Sequence, residues 1–293
     1  MTASVVSQAI PCPAGCGAEV RWNEGRCPAC GADAGAPNVR MASHPSEQFA
    51  LQRRYDQASV DATTCGANQR VQEFTTAVQN HSRVTINVNA DFAHNLFSKS
   101  QTLYANYHNM VGSGVRKPAS FDHDRQRCGV DGTLWGSVAF ELSIGALSLD
   151  GCGPTSYGSA SLTISEKRCQ RTASFLERNS FHFVEEHHLT PAKSIPLGYR
   201  SAWENRHLLA GAKLAKTIRA NTLPETFASI LLDPGKDRQT DEFIEAFIYG
   251  PFDAQAIVGV VIQGLAKLNA SEQQYLNNAR DFAEKKAISW NVR

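Results

Sequence analysis

Four cysteines crowd into residues 12–30 as Cys12-x3-Cys16-x10-Cys27-x2-Cys30, with Gly17 and Gly31 directly after the second cysteine of each pair. Paired thiolates on tight turns are the donor set that Zn²⁺ favours, since four of them close a tetrahedron at low entropic cost. Glycine after each pair lets the backbone turn beneath the metal. Four cysteines leave no open coordination position, so the zinc expected here is structural; free or disulfide-bonded thiols are the competing use. A deaminase-type zinc does not fit, because no His-x-Glu precedes Cys27-Pro28-Ala29-Cys30. Val20 and Trp22 are the main apolar residues between the knuckles, so the module is expected to need its metal to fold. Cys65, Cys128, Cys152 and Cys169 are scattered and read as reduced thiols.

The second chemical feature is a lone acid. Glu245 lies among Phe243, Ile244, Phe247, Ile248 and Tyr249, a β-branched and aromatic run that Gly250-Pro251 stops. A carboxylate inside a strand is costly to bury unless it is paired or has a chemical task. Asp241 and Glu242 stand just upstream as an acidic mouth. A glutamate on an edge strand facing solvent is the commoner arrangement.

Three further segments carry candidate chemistry. Tyr104-Ala-Asn-Tyr107-His108-Asn-Met-Val-Gly112-Ser113-Gly114 ends in a small-residue turn whose backbone N–H groups can approach a ligand closely. Tyr157-Gly158-Ser159-Ala160-Ser161-Leu162-Thr163-Ile164 precedes Arg171-Thr172-Ala173-Ser174-Phe175 and Asn179-Ser180-Phe181, and Trp203-Glu204-Asn205-Arg206-His207 follows. Taken singly, the tyrosines are ordinary core aromatics, Gly112–Gly114 an ordinary loop and His108 an ordinary half-buried imidazole.

In this order and spacing, the segments around Tyr107–Gly114, Tyr157–Ile164, Trp203–His207 and Phe243–Pro251 resemble a diverged branch of the ADP-ribosyltransferases, closest to the effectors that ADP-ribosylate ubiquitin on a threonine. The resemblance spans about residues 83–265 and leaves the cysteine module outside. It implies an ADP-ribosyltransferase-like split β-sheet and NAD as substrate. Glu245, Tyr157 and Ser159 would then be catalytic, and Tyr107, His108, Gly112, Ser113, Gly114, Tyr157 and Gly158 would hold NAD. Either His108 or Arg83 would be the first-strand residue on the nicotinamide ribose. Cleavage of the nicotinamide–ribose bond builds positive charge on the sugar, which a fixed carboxylate stabilises well in a dry cleft. Family members that modify arginine carry an acid two residues before the catalytic glutamate. Phe243 stands there, which points to a hydroxyl acceptor. Arg116, Lys117, Arg125 and Arg127 are candidates for the NAD pyrophosphate or an acidic partner, with a solvated loop as the ordinary reading. Glu185-Glu186-His187-His188 reads as a solvated face and His182 as structural. The alternative function is a zinc-ribbon adaptor on a catalytically silent α+β body.

These residues must be placed by a sizeable domain. Residues 46–80 repeat apolar positions at helical spacing with a break at Gly66, and Arg83–Val88 alternates like a strand. A short helix is expected at 90–100, a long loop at 116–130, strands at 133–147, 157–164 and 170–176, and a helix at 199–219. Strands at 242–249 and 256–262 are expected to close the sheet, followed by a helix at 267–287. Helices first and strands late give an α+β class rather than alternating βαβ units. Residues 1–40 read as a four-cysteine zinc-ribbon-like module with a small-residue linker over 34–45, and residues 41–293 as the ADP-ribosyltransferase-like domain. The 293 residues balance 29 Lys and Arg against 28 Asp and Glu, so no global field favours nucleic acid or a membrane surface. A protein substrate, with ubiquitin as the implied acceptor, is the expected partner. The first residues lack a basic stretch followed by an apolar core, so a cytoplasmic protein, or an effector secreted into a host cell, is expected.

Overall fold

Alternation along Arg83–Val88 sets the architecture: Val84, Ile86 and Val88 enter the main apolar core, while Thr85 and Asn87 face a cleft on the other side of the sheet. The computed structural model describes residues 9–98, 102–114, 122–191, 193–238 and 240–293, with backbone alone at 122–125. Arg116 and Lys117 lie outside the described residues, as does the Arg125 side chain.

The first described elements are a hairpin of β1 (Ile10–Pro11) and β2 (Glu19–Val20), then α1 (Pro37–Ala42), α2 (Pro45–Thr64) and α3 (Asn68–His81). β3 (Arg83–Val88) leads through α4 (Ala90–Ser98), α5 (Tyr107–Gly112) and α6 (Asp122–Trp135) to β4 (Leu142–Ser148) and β5 (Ala160–Ile164). Next come α7 (Glu166–Thr172), β6 (Ala173–Leu176), α8 (Ser180–Glu186), β7 (Arg200–Ala202), α9 (Arg206–Leu214) and α10 (Phe227–Leu231). A hairpin of β8 (Leu232–Asp233) and β9 (Glu242–Phe243) precedes β10 (Glu245–Tyr249) and β11 (Ile257–Ile262), and α11 (Ala270–Lys285) and β12 (Ser289–Val292) finish the described chain.

Eight strands form one mixed sheet in the order β12-β11-β5-β3-β4-β10-β6-β7, in which only β11 and β12 run parallel. The class is α+β. Helices α2, α3, α4, α9, α10 and α11 pack the main core on one face through residues such as Leu51, Phe74, Leu96, Leu209, Phe227 and Leu276. On the opposite face a smaller apolar cluster joins Trp135 of α6 and Phe183 of α8 to Leu142 and Phe247. Among the described residues, no helix is long and apolar enough to cross a membrane.

Several expectations change. β10 does not close the sheet: Glu245 pairs with Ala146 of β4 on one side and Leu176 of β6 on the other, so the strand is internal. The expected loop at 116–130 is helical from Asp122 onward, because Leu134 and Trp135 anchor it by tertiary packing although its sequence carries little apolar periodicity. Only residues from Leu142 of the 133–147 segment are strand, and residues 200–202 of the expected 199–219 helix join the sheet as β7. The segment 34–45, read as a linker, contains α1. Asn38 on that helix is fully buried, and its Nδ2 reaches Thr172 O (3.1 Å), Ser174 Oγ (2.9 Å) and Phe247 O (2.9 Å).

Removing a buried amide whose two N–H bonds are shared among three oxygens strands polar groups away from water. Asn38→Ala is therefore expected to destabilise the protein by about 2 kcal/mol, read as a lower urea midpoint. A change below about 0.5 kcal/mol would show that water replaces the side chain without cost.

Candidate functional site

Glu245 is 1 % exposed and sits on the floor of a cleft of about 660 Å³. Its neighbours explain how the sheet tolerates it. Glu245 Oε2 accepts a hydrogen bond from the Ser180 backbone N–H at 2.7 Å, where α8 begins. Glu245 Oε1 lies 3.8 Å from Arg127 Nη1, and Arg127 Nε donates to Asp131 Oδ2 at 2.9 Å. His108 Nε2 approaches the same Asp131 oxygen at 2.9 Å. Burial pushes the Glu245 carboxyl up to about 7, against the pull of Arg127 and the Ser180 N–H, and the Asp131 charge adds to the rise. Burial alone would lower the Arg127 guanidinium, but the facing Asp131 and Glu245 carboxylates hold it above its ordinary value.

Tyr157 joins the wall from the loop between β4 and β5. Its hydroxyl accepts from Asn179 Nδ2 at 3.0 Å, and Asn179 Oδ1 in turn caps α8 through the Phe181 N–H at 3.0 Å. Burial, with the Glu245 charge adding to it, pushes the Tyr157 hydroxyl up to about 12. The Arg238 guanidinium covers the ring at 4.8 Å and Phe243 meets it edge-on, the two centroids 6.2 Å apart. Asp241 ties the Arg238 loop down: it is buried and accepts from Gly235 N–H at 2.9 Å and from the Ser156 hydroxyl. Glu242 is paired with Arg178 at 2.6 Å and with Lys213. Of the acidic mouth read from the sequence, Glu242 is thus ion-paired and Asp241 is held by uncharged donors.

The structure brings Tyr107, His108, Tyr157 and Glu245 to one cleft and leaves other candidates outside its lining. Asn106 places α5 by donating to Phe140 O and Leu142 O, both at 3.0 Å, and by capping the helix through the Asn109 N–H. Tyr107 and His108, at the start of α5, face the cleft, whereas Gly112, Ser113 and Gly114 form its far end and do not line it. Ser159 also lies outside the lining, and its carbonyl accepts from Gln263 N–H. Gly158 serves a crossing: at φ +149° it lies against the Val88 backbone, where a Cβ would collide, and its carbonyl accepts from Asn87 Nδ2. Arg83 is not a lining residue either and pairs with Glu166 at 3.4 Å.

Some site residues escape the sequence reading. Arg127 leaves the solvated-loop reading and points into the cleft, and Asp131 is not among the sequence candidates at all. Their i, i+4 spacing puts both on one helix face, a signal visible only once that stretch is known to be helical. His182 and Glu185 of α8, read as structural and solvated, also line the wall.

The Cys12, Cys16, Cys27 and Cys30 sulfurs lie within 4.8 Å of one another. The separations Cys12–Cys30 and Cys16–Cys27 are both 3.6 Å, close to the sulfur–sulfur spacing of about 3.8 Å that a tetrahedral zinc thiolate site requires. None of the four is in a disulfide. The cluster can hold a metal ion such as zinc, whose chemistry there is that of a staple. Gly17 and Gly31 adopt φ +83° and +72°, as the knuckle turns demand. The module is firmly mounted. The Arg40 guanidinium reaches the carbonyls of Ala34 (2.7 Å), Gly35 (3.0 Å), Arg21 (3.2 Å), Trp22 (3.0 Å) and Glu24 (2.7 Å). Trp22 packs against the Trp135–Phe247 cluster, Asn23 Nδ2 donates to Ser137 Oγ at 2.9 Å, and a Cβ on Gly25 would collide with the Tyr249 hydroxyl.

No protein-family model matches the chain, and no curated protein matches its sequence.

Purified protein is expected to carry about one equivalent of zinc, and Cys30→Ser to lose most of it and to melt at a lower temperature. Metal analysis that finds no zinc in wild type, with the melting temperature of Cys30→Ser unchanged, would remove the metal from this site.

Proposed function

We propose that this chain is an NAD-dependent mono-ADP-ribosyltransferase that modifies a protein hydroxyl side chain. The observation that carries the reading is the buried Glu245 at the floor of the cleft, with Tyr157, Tyr107 and His108 in its walls. The cleft volume falls within the range of small-molecule sites. In the reaction the nicotinamide–ribose C–N bond breaks and nicotinamide leaves with the electron pair. The Glu245 carboxylate, fixed by the Ser180 N–H and Arg127, faces the positive charge that then develops on the ribose. A bond forms between the acceptor oxygen and the ribose carbon, and the hydroxyl proton passes late to Glu245, a carboxyl that titrates near neutral pH. Tyr157 holds its place through Asn179 and offers a ring for the nicotinamide, with Arg238 over one side of that ring.

Phe243 supports the hydroxyl acceptor. It is buried with Ala146, Leu232 and Tyr157 as an apolar wall two residues from Glu245, where a guanidinium acceptor would want negative charge. The resemblance to ubiquitin-modifying effectors directs the acceptor search to a threonine of ubiquitin. NAD and ubiquitin incubated with the protein are expected to give a single adduct, located by mass spectrometry and stable to hydroxylamine. An adduct on arginine would reject the hydroxyl assignment, and nicotinamide release no faster than without protein would reject the reaction class.

Glu245→Gln keeps the volume and removes the charge. It is expected to lower turnover by about a hundred- to a thousand-fold with NAD binding retained. The same variant carries a stability signature. The Glu245 carboxyl titrates higher in the fold than in the unfolded chain, so its contribution is fully present below about pH 4.5 and is lost as pH rises through about 7. Glu245→Gln is therefore expected to gain stability over wild type across that window and to stay ahead above it. Parallel melting curves for the two proteins from pH 4 to pH 8 would contradict a buried, titrating acid.

A further inference from the structure

We infer that Arg127, aimed by Asp131 and His108, is a positioning residue that keeps the Glu245 side chain fixed and ionised at the floor of the cleft. The inference rests on the reading of Glu245 as the acid that faces the ribose. Its basis is the way this arginine spends its donors. Two other arginines close theirs on uncharged oxygens: Arg40 on five carbonyls, and Arg206 on Ser82 Oγ, Trp203 O and Gln79 O. Those are clamps for backbone. Arg127 makes no such closure. Its Nε is taken by Asp131 Oδ2, its Nη1 faces Glu245 Oε1 at 3.8 Å, and its buried Nη2 has no hydrogen-bond partner among the described residues.

Asp131 supplies the aim. It lies one helical turn after Arg127 on the same face of α6, is 2 % exposed, and takes His108 Nε2 on the same oxygen at 2.9 Å. This two-sided grip sets the plane of the guanidinium, and the Phe181 ring lies 5.4 Å from its central carbon. One guanidinium between two carboxylates leaves the cluster net negative when both acids are ionised, a charge that a ribosyl cation would neutralise. The groups facing Glu245 are Arg127 and Asp131 from α6, the Tyr157 hydroxyl and the Ser180 N–H. The remaining charged or titratable side chains along the cleft are Asp91 of α4, Tyr104, Tyr107 and His108 around the start of α5, His182 and Glu185 of α8, and Arg238. Among these, Arg127 is the cation in ion-pair range of the acid, so its loss is expected to reach Glu245 first.

The test reads Glu245 directly in the full-length protein. Its carboxyl is labelled with ¹³C, assigned with Glu245→Gln, and titrated in wild type, Arg127→Gln and Arg127→Lys. Arg127→Gln keeps a hydrogen-bond donor for Asp131 and loses the charge, so its Glu245 midpoint is expected to rise by about one unit or more, with Arg127→Lys returning most of the way. The acid limb of the pH profile for nicotinamide release should move with it, lowering kcat near pH 7 by about five-fold or more with little change in KM. A midpoint within about 0.3 units of wild type in folded Arg127→Gln, or Arg127→Lys behaving like Arg127→Gln, would overturn the assignment. If Arg127→Gln does not fold, wild type decides: the Arg127 guanidinium ¹⁵N resonances must titrate with the Glu245 midpoint, and flat resonances overturn the pairing. Failure of wild type to release nicotinamide would reject the transferase reading, whereas the carboxyl midpoints judge Arg127 separately.

Discussion

A carboxyl buried on an internal strand loses its hydration, and that loss costs free energy unless neighbouring groups offset it. Glu245 imposes this constraint on the elements around it. α8 begins where its first N–H can meet one carboxylate oxygen, and α6 is set so that Arg127 faces the other. Asp131, itself buried, is acceptable because Arg127 and His108 both close on it. Each charge in the cluster is tolerable only because the others are present. The Glu245 carboxyl still titrates near neutral pH, so the offset is partial. Under the proposed reaction, that partial offset would suit a carboxyl that holds charge during one step and takes a proton in the next.

The amino-terminal module belongs to the same construction. α1 carries Arg40, which gathers the module's carbonyls, and Asn38, which reaches the backbone of β10 at Phe247, two residues from the acid. Trp22 rests on the cluster formed by Trp135 and Phe247. The thiol cluster, α1 and the floor of the cleft are therefore linked through contiguous packed groups.

Much of this is legible in the residues. The cysteine spacing announces the thiol cluster, the alternation at Arg83–Val88 announces β3, and the acid inside an apolar strand marks Glu245. Tyr107, His108 and Tyr157 stand out in the sequence and line the same cleft. What escapes reading depends on long-range packing. α6 has a thin apolar face and two internal glycines, so the residues that hold it helical are partners far away in sequence. Without the helix, Arg127 and Asp131 have no common face. α1 looks like a linker because Asn38, its most buried polar residue, finds its acceptors 134 to 209 residues further on. The Gly112–Gly114 turn looks suited to a ligand for its composition alone, and composition does not say on which end of α5 the cleft lies.

Those same separations bear on the order of assembly. The thiol knuckles can close around a metal as soon as they are synthesised, since the first and last ligands lie 18 residues apart. Asn38 has no such freedom: its acceptor on β10 is made much later, and non-local pairings of this kind form slowly. A growing chain thus carries a finished module and an undocked α1 while the sheet that receives them is still incomplete. During that interval the apolar face of Trp22 and the surface that will cover Phe247 are both exposed, which makes this joint a place where chaperone capture or proteolysis can act.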